Sequence, residues 1–130
     1  MAGEIVADGD RELLELAAKA AGIELDWDIP ENSTTPWRMT GEGDERGPAA
    51  EWNPLTDDGD AFRLETDLSF IAVEWADGIE VGEFVLAAGR LLPVARRTAY
   101  VKFEDHAGDK RAARRLAGTR AAAEIGRAME

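Results

Sequence analysis

Residues 109–129 are rich in alanine, and their apolar side chains recur at helical spacing along one stripe: Ala113, Ala117, Ala121, Ile125 and Ala128. Residues three or four positions apart lie on the same face of a helix, so this spacing predicts a helix that buries a stripe of small side chains. Gly118 and Gly126 each lower the intrinsic helix stability by roughly 1 kcal/mol relative to Ala, which favours close packing against a neighbour. Such a helix lies naturally across a β-sheet.

The strands of this sheet are predicted between residues 69 and 103. Apart from Glu74, residues 69–75 are β-branched, aromatic or small, with Ile71, Val73 and Trp75 on one face and Phe70 and Ala72 on the other, which is typical of a strand buried on much of both faces. Asp77-Gly78 then separates two apolar runs and indicates a hairpin turn, with residues 79–87 as the returning strand. After Gly89 and Pro93, residues 98–103 alternate apolar and polar side chains and predict a further strand.

The first part of the chain predicts a helix, a strand, a long loop and a second helix. Asp10 is predicted to cap a helix that ends at Gly22, and the alternation over 23–27 predicts a strand. Residues 30–50 are rich in Pro, Gly and polar side chains and predict a loop around a short strand at 37–39, with a mobile section at 41–48. Such a loop either binds something or is disordered. A helix over 57–66, capped by Thr56 or Asp57, follows.

The composition limits the class of protein. A chain of 130 residues with 45% apolar content supports one hydrophobic core, so we expect a single domain over 1–130. Cysteine is absent, which excludes thiol catalysis, thiolate metal sites and disulfides. The chain has neither a basic signal-like start nor a long apolar run. We therefore expect a cytoplasmic protein without a membrane partner.

The net charge of −12 is distributed unevenly. Residues 1–60, here called the acidic half, hold sixteen Asp or Glu against four Lys or Arg; residues 61–105 hold eight against five, and residues 106–130 hold three against six. Phosphate groups are repelled by carboxylates, so nucleic acid is not expected to bind through the acidic half. The charge favours a protein partner with a basic surface; the alternative is that it only keeps the protein in solution.

The acidic run Asp57-Asp58-Gly59-Asp60 has two interpretations. Three carboxylates so close together could bind a divalent cation, but the spacing lacks the further ligands of an EF-hand loop. Helix capping and the macrodipole explain the same residues, so we expect no metal. Trp52 could present its indole to a ligand, but the preferred interpretation is that it anchors the following helix to the core.

The positive charge of a basic cluster at the start of the last helix must be balanced by negative groups. Cations in the first turns of a helix oppose the macrodipole and repel one another. Three sources of compensation remain open: carboxylates of the acidic half, a phosphate-like anion or nucleotide at the helix N-terminus, or carboxylates of another subunit. The residues concerned are Lys110, Arg111, Arg114 and Arg115.

Catalytic motifs are not apparent in the sequence. His106 is the single histidine and, without cysteine, cannot form a common zinc site. The sequence has no nucleophile elbow and no glycine-rich phosphate loop. We expect neither catalytic residues nor a cofactor.

Two segments together resemble the phage ABA sandwich domain, a family of small proteins of tailed phages and prophages. The first is Trp52-Asn53-Pro54 followed by Asp57, Asp58 and Asp60; the second is the alanine-rich stretch over 114–129, with weaker similarity over 13–22. The resemblance implies an α/β/α sandwich, an α+β fold in which helices pack on a mainly antiparallel sheet, in a protein of the bacterial cytoplasm. It implies no catalytic residues. We therefore expect a phage-encoded accessory protein that binds a host or phage macromolecule; the alternative is a small-anion or nucleotide binder that uses the basic cluster.

Overall fold

The computed structural model describes residues 8–28, 35–41 and 43–129. Within them lie three α-helices and two three-stranded antiparallel sheets, which confirms the predicted α+β class. The sequence analysis did not predict that the strands would divide between two sheets.

Helix α1 spans Asp8–Ala21 and buries Leu14, Ala17 and Ala18 on its inward face. It begins two residues before Asp10, so the prediction that Asp10 is the capping residue was wrong. The predicted stop at Gly22 is confirmed. This glycine has a φ of 72°, a left-handed conformation that a residue without a Cβ adopts readily, and the next residue, Ile23, donates its N–H to the Ala18 carbonyl at 2.8 Å.

The first sheet contains β1 (Leu25–Asp26), β2 (Trp37–Thr40) and β3 (Gly47–Glu51), in that order. Strand β2 confirms the short strand predicted at 37–39. Strand β3 was not predicted, because Pro48 argues against a strand; β3 lies at the sheet edge, where a proline is tolerated. A turn of 3-10 helix at Gly43–Glu45 lies in the section predicted to be mobile, whose mobility stays a prediction. Residues 29–34 and 42 of the predicted loop lie outside the described residues.

Helix α2 (Asp58–Asp67) leads into the second sheet, whose strands are β4 (Ile71–Glu74), β5 (Gly78–Ala87) and β6 (Arg90–Lys102). The predicted turn at Asp77-Gly78 is confirmed as the link between β4 and β5. Strand β6 begins eight residues earlier than the predicted 98–103. Pro93 does not interrupt it, because β6 is an edge strand and Pro93 faces Phe84 within the hairpin.

Helix α3 (Lys110–Ala128) is shared by two hydrophobic clusters. Ala122 packs in the first, with α1, Trp52 and Leu64; Ala113 and Ala117 pack in the second, against β5 and β6. The close packing expected at Gly126 is present, because a methyl group there would overlap the Leu16 carbonyl oxygen of α1. At Gly118 the nearest atom to such a methyl would be Val81 Cγ1 at 3.5 Å, an ordinary contact.

Candidate functional site

The segment from Trp52 to Asp60 forms the entry to α2. Trp52 is 2% exposed and packs with Leu14 and Leu64, and Pro54 is fully buried. Burial of an indole immediately before a helix fixes where that helix starts on the core. Trp52 is therefore not presented to a ligand.

The polar residues of the same segment bind one another. Asp57 is the N-cap of α2 and accepts the Asp60 N–H at 2.8 Å. The buried Asp60 carboxylate accepts the Asn53 N–H at 3.0 Å and an Arg63 Nη2 hydrogen bond at 2.7 Å. Asn53 Oδ1 in turn accepts the Leu55 N–H at 2.9 Å. The hydrogen bond to Asp60 raises the pKa of Arg63 above its ordinary value.

These contacts account for the acidic run without a metal ion. Asp57 and Asp60 are bound to backbone N–H groups and Arg63, and Asp58 faces the arginines of α3. Among the described residues no group of three His, Asp or Glu side chains is arranged to hold a metal.

Each member of the basic cluster on α3 lies beside a carboxylate. Lys110 Nζ binds Glu74 at 2.7 Å, and Asp58 accepts Arg115 at 2.6 Å and lies 3.7 Å from Arg111. Arg115 also donates to the Leu55 carbonyl at 2.9 Å. We call the contact between α2 and α3, formed by Asp58 and Glu65 with Arg111, Arg114 and Arg115, the seam.

The most buried ion pair of the seam joins Arg114 to Glu65. Two nitrogens of the guanidinium donate to the two carboxylate oxygens at 2.7 and 3.1 Å, and the Glu65 side chain is only 7% exposed. This hydrogen bonding raises the pKa of Arg114, against an opposing effect of burial. Such fork geometry is the strongest form of a carboxylate–arginine contact.

The N-terminus of α3 also has its own carboxylate. Asp109 is the N-cap and accepts the Ala112 N–H at 3.1 Å. A cleft of about 300 Å³ lies beside the seam, lined by Phe62 and by charged residues of both helices. An anion entering this cleft would meet Asp58 and Glu65 as well as the arginines. The contacts thus favour pairing within the chain among the three sources of compensation, although only Asp58 belongs to the acidic half, while Glu65 and Glu74 lie outside it.

The second sheet exposes apolar side chains on the face opposite α3. Val81 and its neighbours across the sheet, Ala72 and Ala99, belong to the α3 side. Because side chains alternate along a strand, the intervening residues lie on the other side. We call this other side the open face; it carries Ile71, Val73, Trp75, Glu80 and Tyr100, of which Trp75 is 52% exposed.

The β5–β6 hairpin extends beyond β4 as an arm, which we define as residues 84–97. Leu86 faces Leu91, and these side chains are 73% and 48% exposed. Ala88 and Gly89 both have positive φ at its tip, the combination that a two-residue turn between twisted strands requires. Arg90 and Arg96 form no ion pair with any residue in the described ranges.

Carboxylates of the acidic half remain without cations. Asp10, Asp28, Asp44, Glu45 and Glu51 are exposed and form no ion pair within the part of the chain that the structure describes. Four of these five lie on or beside the first sheet, in which Asp26, Trp37 and Glu51 form one row across the strands.

Sequence reasoning missed the arm and the open face. The uncharged run over 84–89 was visible, and so were apolar residues on both faces of 69–75, but both patterns also suit a buried strand. His106 lies half-buried at the end of a 3-10 turn (Phe103–His106).

Comparisons of the chain with protein-family models, with characterised proteins and with solved structures found no match. Among the described residues, no helix has both the length and the apolar character needed to cross a membrane.

Proposed function

We propose that the protein is a phage- or prophage-encoded accessory protein of the bacterial cytoplasm that binds a host or phage macromolecule and does not itself catalyse a reaction. The observation that carries this proposal is the set of exposed, unpaired carboxylates around the first sheet. The phage origin is supported only by the resemblance of the Trp52 segment and the alanine-rich helix to the phage family.

The charge of the acidic half points to the chemistry of the partner. An ion pair consumes one carboxylate and one cation, so the seam leaves the net charge of −12 unchanged. Asp44, Glu45 and Glu51 are exposed and form no ion pair with any residue that the structure describes. Fields of this sign steer basic surfaces toward the protein and disfavour nucleic acid. The partner is therefore a basic protein surface.

A capture experiment tests the proposal. The tagged protein is incubated with lysate of a bacterial host at low and at moderate salt, and the retained proteins are identified. We expect one or more basic proteins that are retained less at moderate salt, because salt screens exposed charges. Recovery of no specific protein under either condition would contradict the proposal.

A matched pair of triple variants locates the surface. Asp44→Asn, Glu45→Gln and Glu51→Gln remove three charges beside the first sheet, and we expect them to abolish capture. The control removes the same charge elsewhere, at exposed residues of the remaining chain, and is expected to retain the partner. Equal loss in both would show that only net charge matters and would exclude a defined site. The control changes are Asp67→Asn, Glu104→Gln and Asp105→Asn.

The second candidate function is binding of a small anion or nucleotide beside the seam. It is favoured by the cleft next to Phe62 and by Arg111, whose side chain is 83% exposed and whose nearest carboxylate oxygen lies 3.7 Å away. A nucleotide at a hundredfold excess over its Kd would stabilise the protein by roughly 2.7 kcal/mol. A thermal-shift screen of nucleotides supports this candidate only if a shift is lost in Arg111→Ala and Arg114→Ala.

A further inference from the structure

We propose that two copies of the chain associate through their open faces, each copy laying its arm across the β4–β5 turn end of the other copy's second sheet. This inference concerns a different surface from the acidic carboxylates above and does not depend on the function proposed for them.

On β4 the open face carries only apolar side chains, whereas β5 and β6 place Glu80, Thr98 and Lys102 there. Antiparallel sheets with one uncovered face alternate apolar and polar residues. Here β4 places Ile71 and Val73 on the uncovered side, Trp75 follows directly after β4 and is 52% exposed, and Tyr100 of β6 is 40% exposed. Glu80 separates Val73 from Tyr100 in this face, and the exposed apolar residues on either side of it mark a candidate interaction site.

The arm continues the β5–β6 hairpin beyond a register shift between Gly82 and Phe84, and among the described residues no third strand pairs with it. Strand β4 pairs with β5 only as far as Gly82, so the arm is a two-stranded ribbon whose two edges are free. Leu86 and Leu91 form a pair on one side of the ribbon, and Val85 and Leu92 form a pair on the other. An isolated ribbon of two strands is marginally stable in water, so the arm gains most from a surface that covers it.

Charge identifies a second copy as the cover. Residues 71–102 contain four acidic and four basic residues, so the second sheet is neutral in a chain of net charge −12. Two copies repel each other least when these neutral surfaces meet.

The order of charges along the sheet makes the open face complementary to itself. Asp77 and Glu80 lie with Lys102 at the end next to the β4–β5 turn, and the arm carries Arg90 and Arg96, with Arg97 paired to Glu83 at its base. A two-fold axis that lies between the two faces, perpendicular to the strands, makes the strands of the two sheets run in opposite directions. The cations of each arm then lie against the acidic end of the other copy. The apolar contacts are Leu86 and Leu91 of one copy against Trp75 and Tyr100 of the other.

The oligomeric state tests the proposal directly. Sedimentation equilibrium of the full chain between about 1 µM and about 1 mM is expected to show a mass that rises from 14.1 kDa toward twice that value. Leu86→Glu and Trp75→Glu should each raise the dimer dissociation constant at least about tenfold, since each places a charge in an apolar contact. The control is Phe62→Glu, because Phe62 is 65% exposed but lies on α2. A monomer throughout, or a dimer that neither Leu86→Glu nor Trp75→Glu weakens, would overturn the proposal.

Cross-linking tests the arrangement without disturbing the contacts. The chain has no cysteine, so single cysteines can be placed at exposed alanines at the two ends of the face, in Ala76→Cys and Ala87→Cys. With a short bismaleimide, a mixture of the two variants should cross-link at least about tenfold faster than either variant alone. Faster cross-linking of Ala87→Cys with itself would show arm-to-arm packing and would overturn the two-fold arrangement.

The two proposals fail separately. The triple variant at Asp44, Glu45 and Glu51 should dimerise like the wild type, and Leu86→Glu should still capture the basic partner. Loss of capture in Leu86→Glu together with an unchanged dimer would assign the arm to the foreign partner and overturn the self-association.

Discussion

The seam and the arm contain similar residues and use them in opposite ways. In the seam, Arg114 and Arg115 meet Glu65 and Asp58 across two packed helices. In the arm, Arg90 and Arg96 have no ion-pair partner among the described residues, and Leu86 is 73% exposed. The start of α3 and the arm are both basic and apolar, so composition does not separate a structural cluster from a surface that is free to bind.

The seam and the arm differ because a helix packs against the first, whereas only the two strands of the hairpin form the second. Helix α2 brings carboxylates to α3, so the cost of burying Glu65 is offset within the chain. Beyond Gly82, no third strand from the described part of the chain pairs with the β5–β6 hairpin. A basic cluster is therefore a candidate binding site only where the fold leaves its cations without carboxylates.

The largest expected effect compares two tryptophans. Trp52 is 2% exposed at the entry to α2, and Trp75 is 52% exposed on the open face. Trp52→Ala should lower the free energy of unfolding by about 3 to 5 kcal/mol, because it leaves a cavity in the first hydrophobic cluster. Trp75→Ala should change it by less than about 1 kcal/mol. Urea denaturation at low protein concentration, where any dimer dissociates, measures both; equal losses would contradict the contrast.

Two glutamates provide the next comparison. Glu65→Gln keeps the shape of the side chain but leaves the Arg114 charge unbalanced, and we expect a loss of about 2 kcal/mol because Arg114 is half exposed. Glu83 contacts Arg97 at 3.4 Å at the base of the arm, and both side chains are exposed. Glu83→Gln should cost less than about 1 kcal/mol. A loss for Glu83→Gln as large as that for Glu65→Gln would show that the arm is held by charge as the seam is.

Two glycines test the packing of α3, Gly118 close to Glu65 of the seam and Gly126 against α1. Gly126→Ala should destabilise the protein by about 1 to 3 kcal/mol, because the methyl group overlaps the α1 backbone at Leu16. Gly118→Ala should stabilise it by about 0.4 to 1 kcal/mol, since the methyl group has room beside Val81 and alanine favours the helix. Thermal unfolding of both variants measures the two signs. Destabilisation by Gly118→Ala would show that α3 packs more tightly on the second sheet than this geometry indicates.

The smallest effect concerns Tyr100 on the open face. Its hydroxyl donates a hydrogen bond to Asp77, which raises the pKa of Tyr100 to about 12. The folded state therefore favours the neutral phenol, so this contribution to stability is complete below about pH 10 and is lost as the pH rises through about 12.

Tyr100 is the single tyrosine, so absorbance of the phenolate reports its titration directly. Asp77→Asn should return its pKa toward about 10. An unchanged titration in Asp77→Asn would show that the hydrogen bond does not persist in solution.

The sequence by itself determined the local elements. Small side chains at helical spacing predicted α3, the Asp77-Gly78 turn joined β4 to β5, and Gly22 ended α1, because each signal depends on neighbours along the chain. Asp57 was one of two predicted caps and is the residue that caps α2. Strands β3 and the first part of β6 escaped prediction because Pro48 and Pro93 argue against strands unless they lie at a sheet edge.

Only the tertiary structure decided which strands share a sheet and which charges meet. The sequence left open which of three groups balances the positive charge of Lys110, Arg111, Arg114 and Arg115. The carboxylates that bind Arg114 and Arg115 in the fold lie 49 and 57 residues earlier in the chain. The exposure of Leu86 also could not be predicted, because an uncharged apolar strand has the same sequence pattern in a core as on a surface. Whether a residue is buried depends on which distant segment of the chain packs against it, and a local sequence pattern does not contain that information.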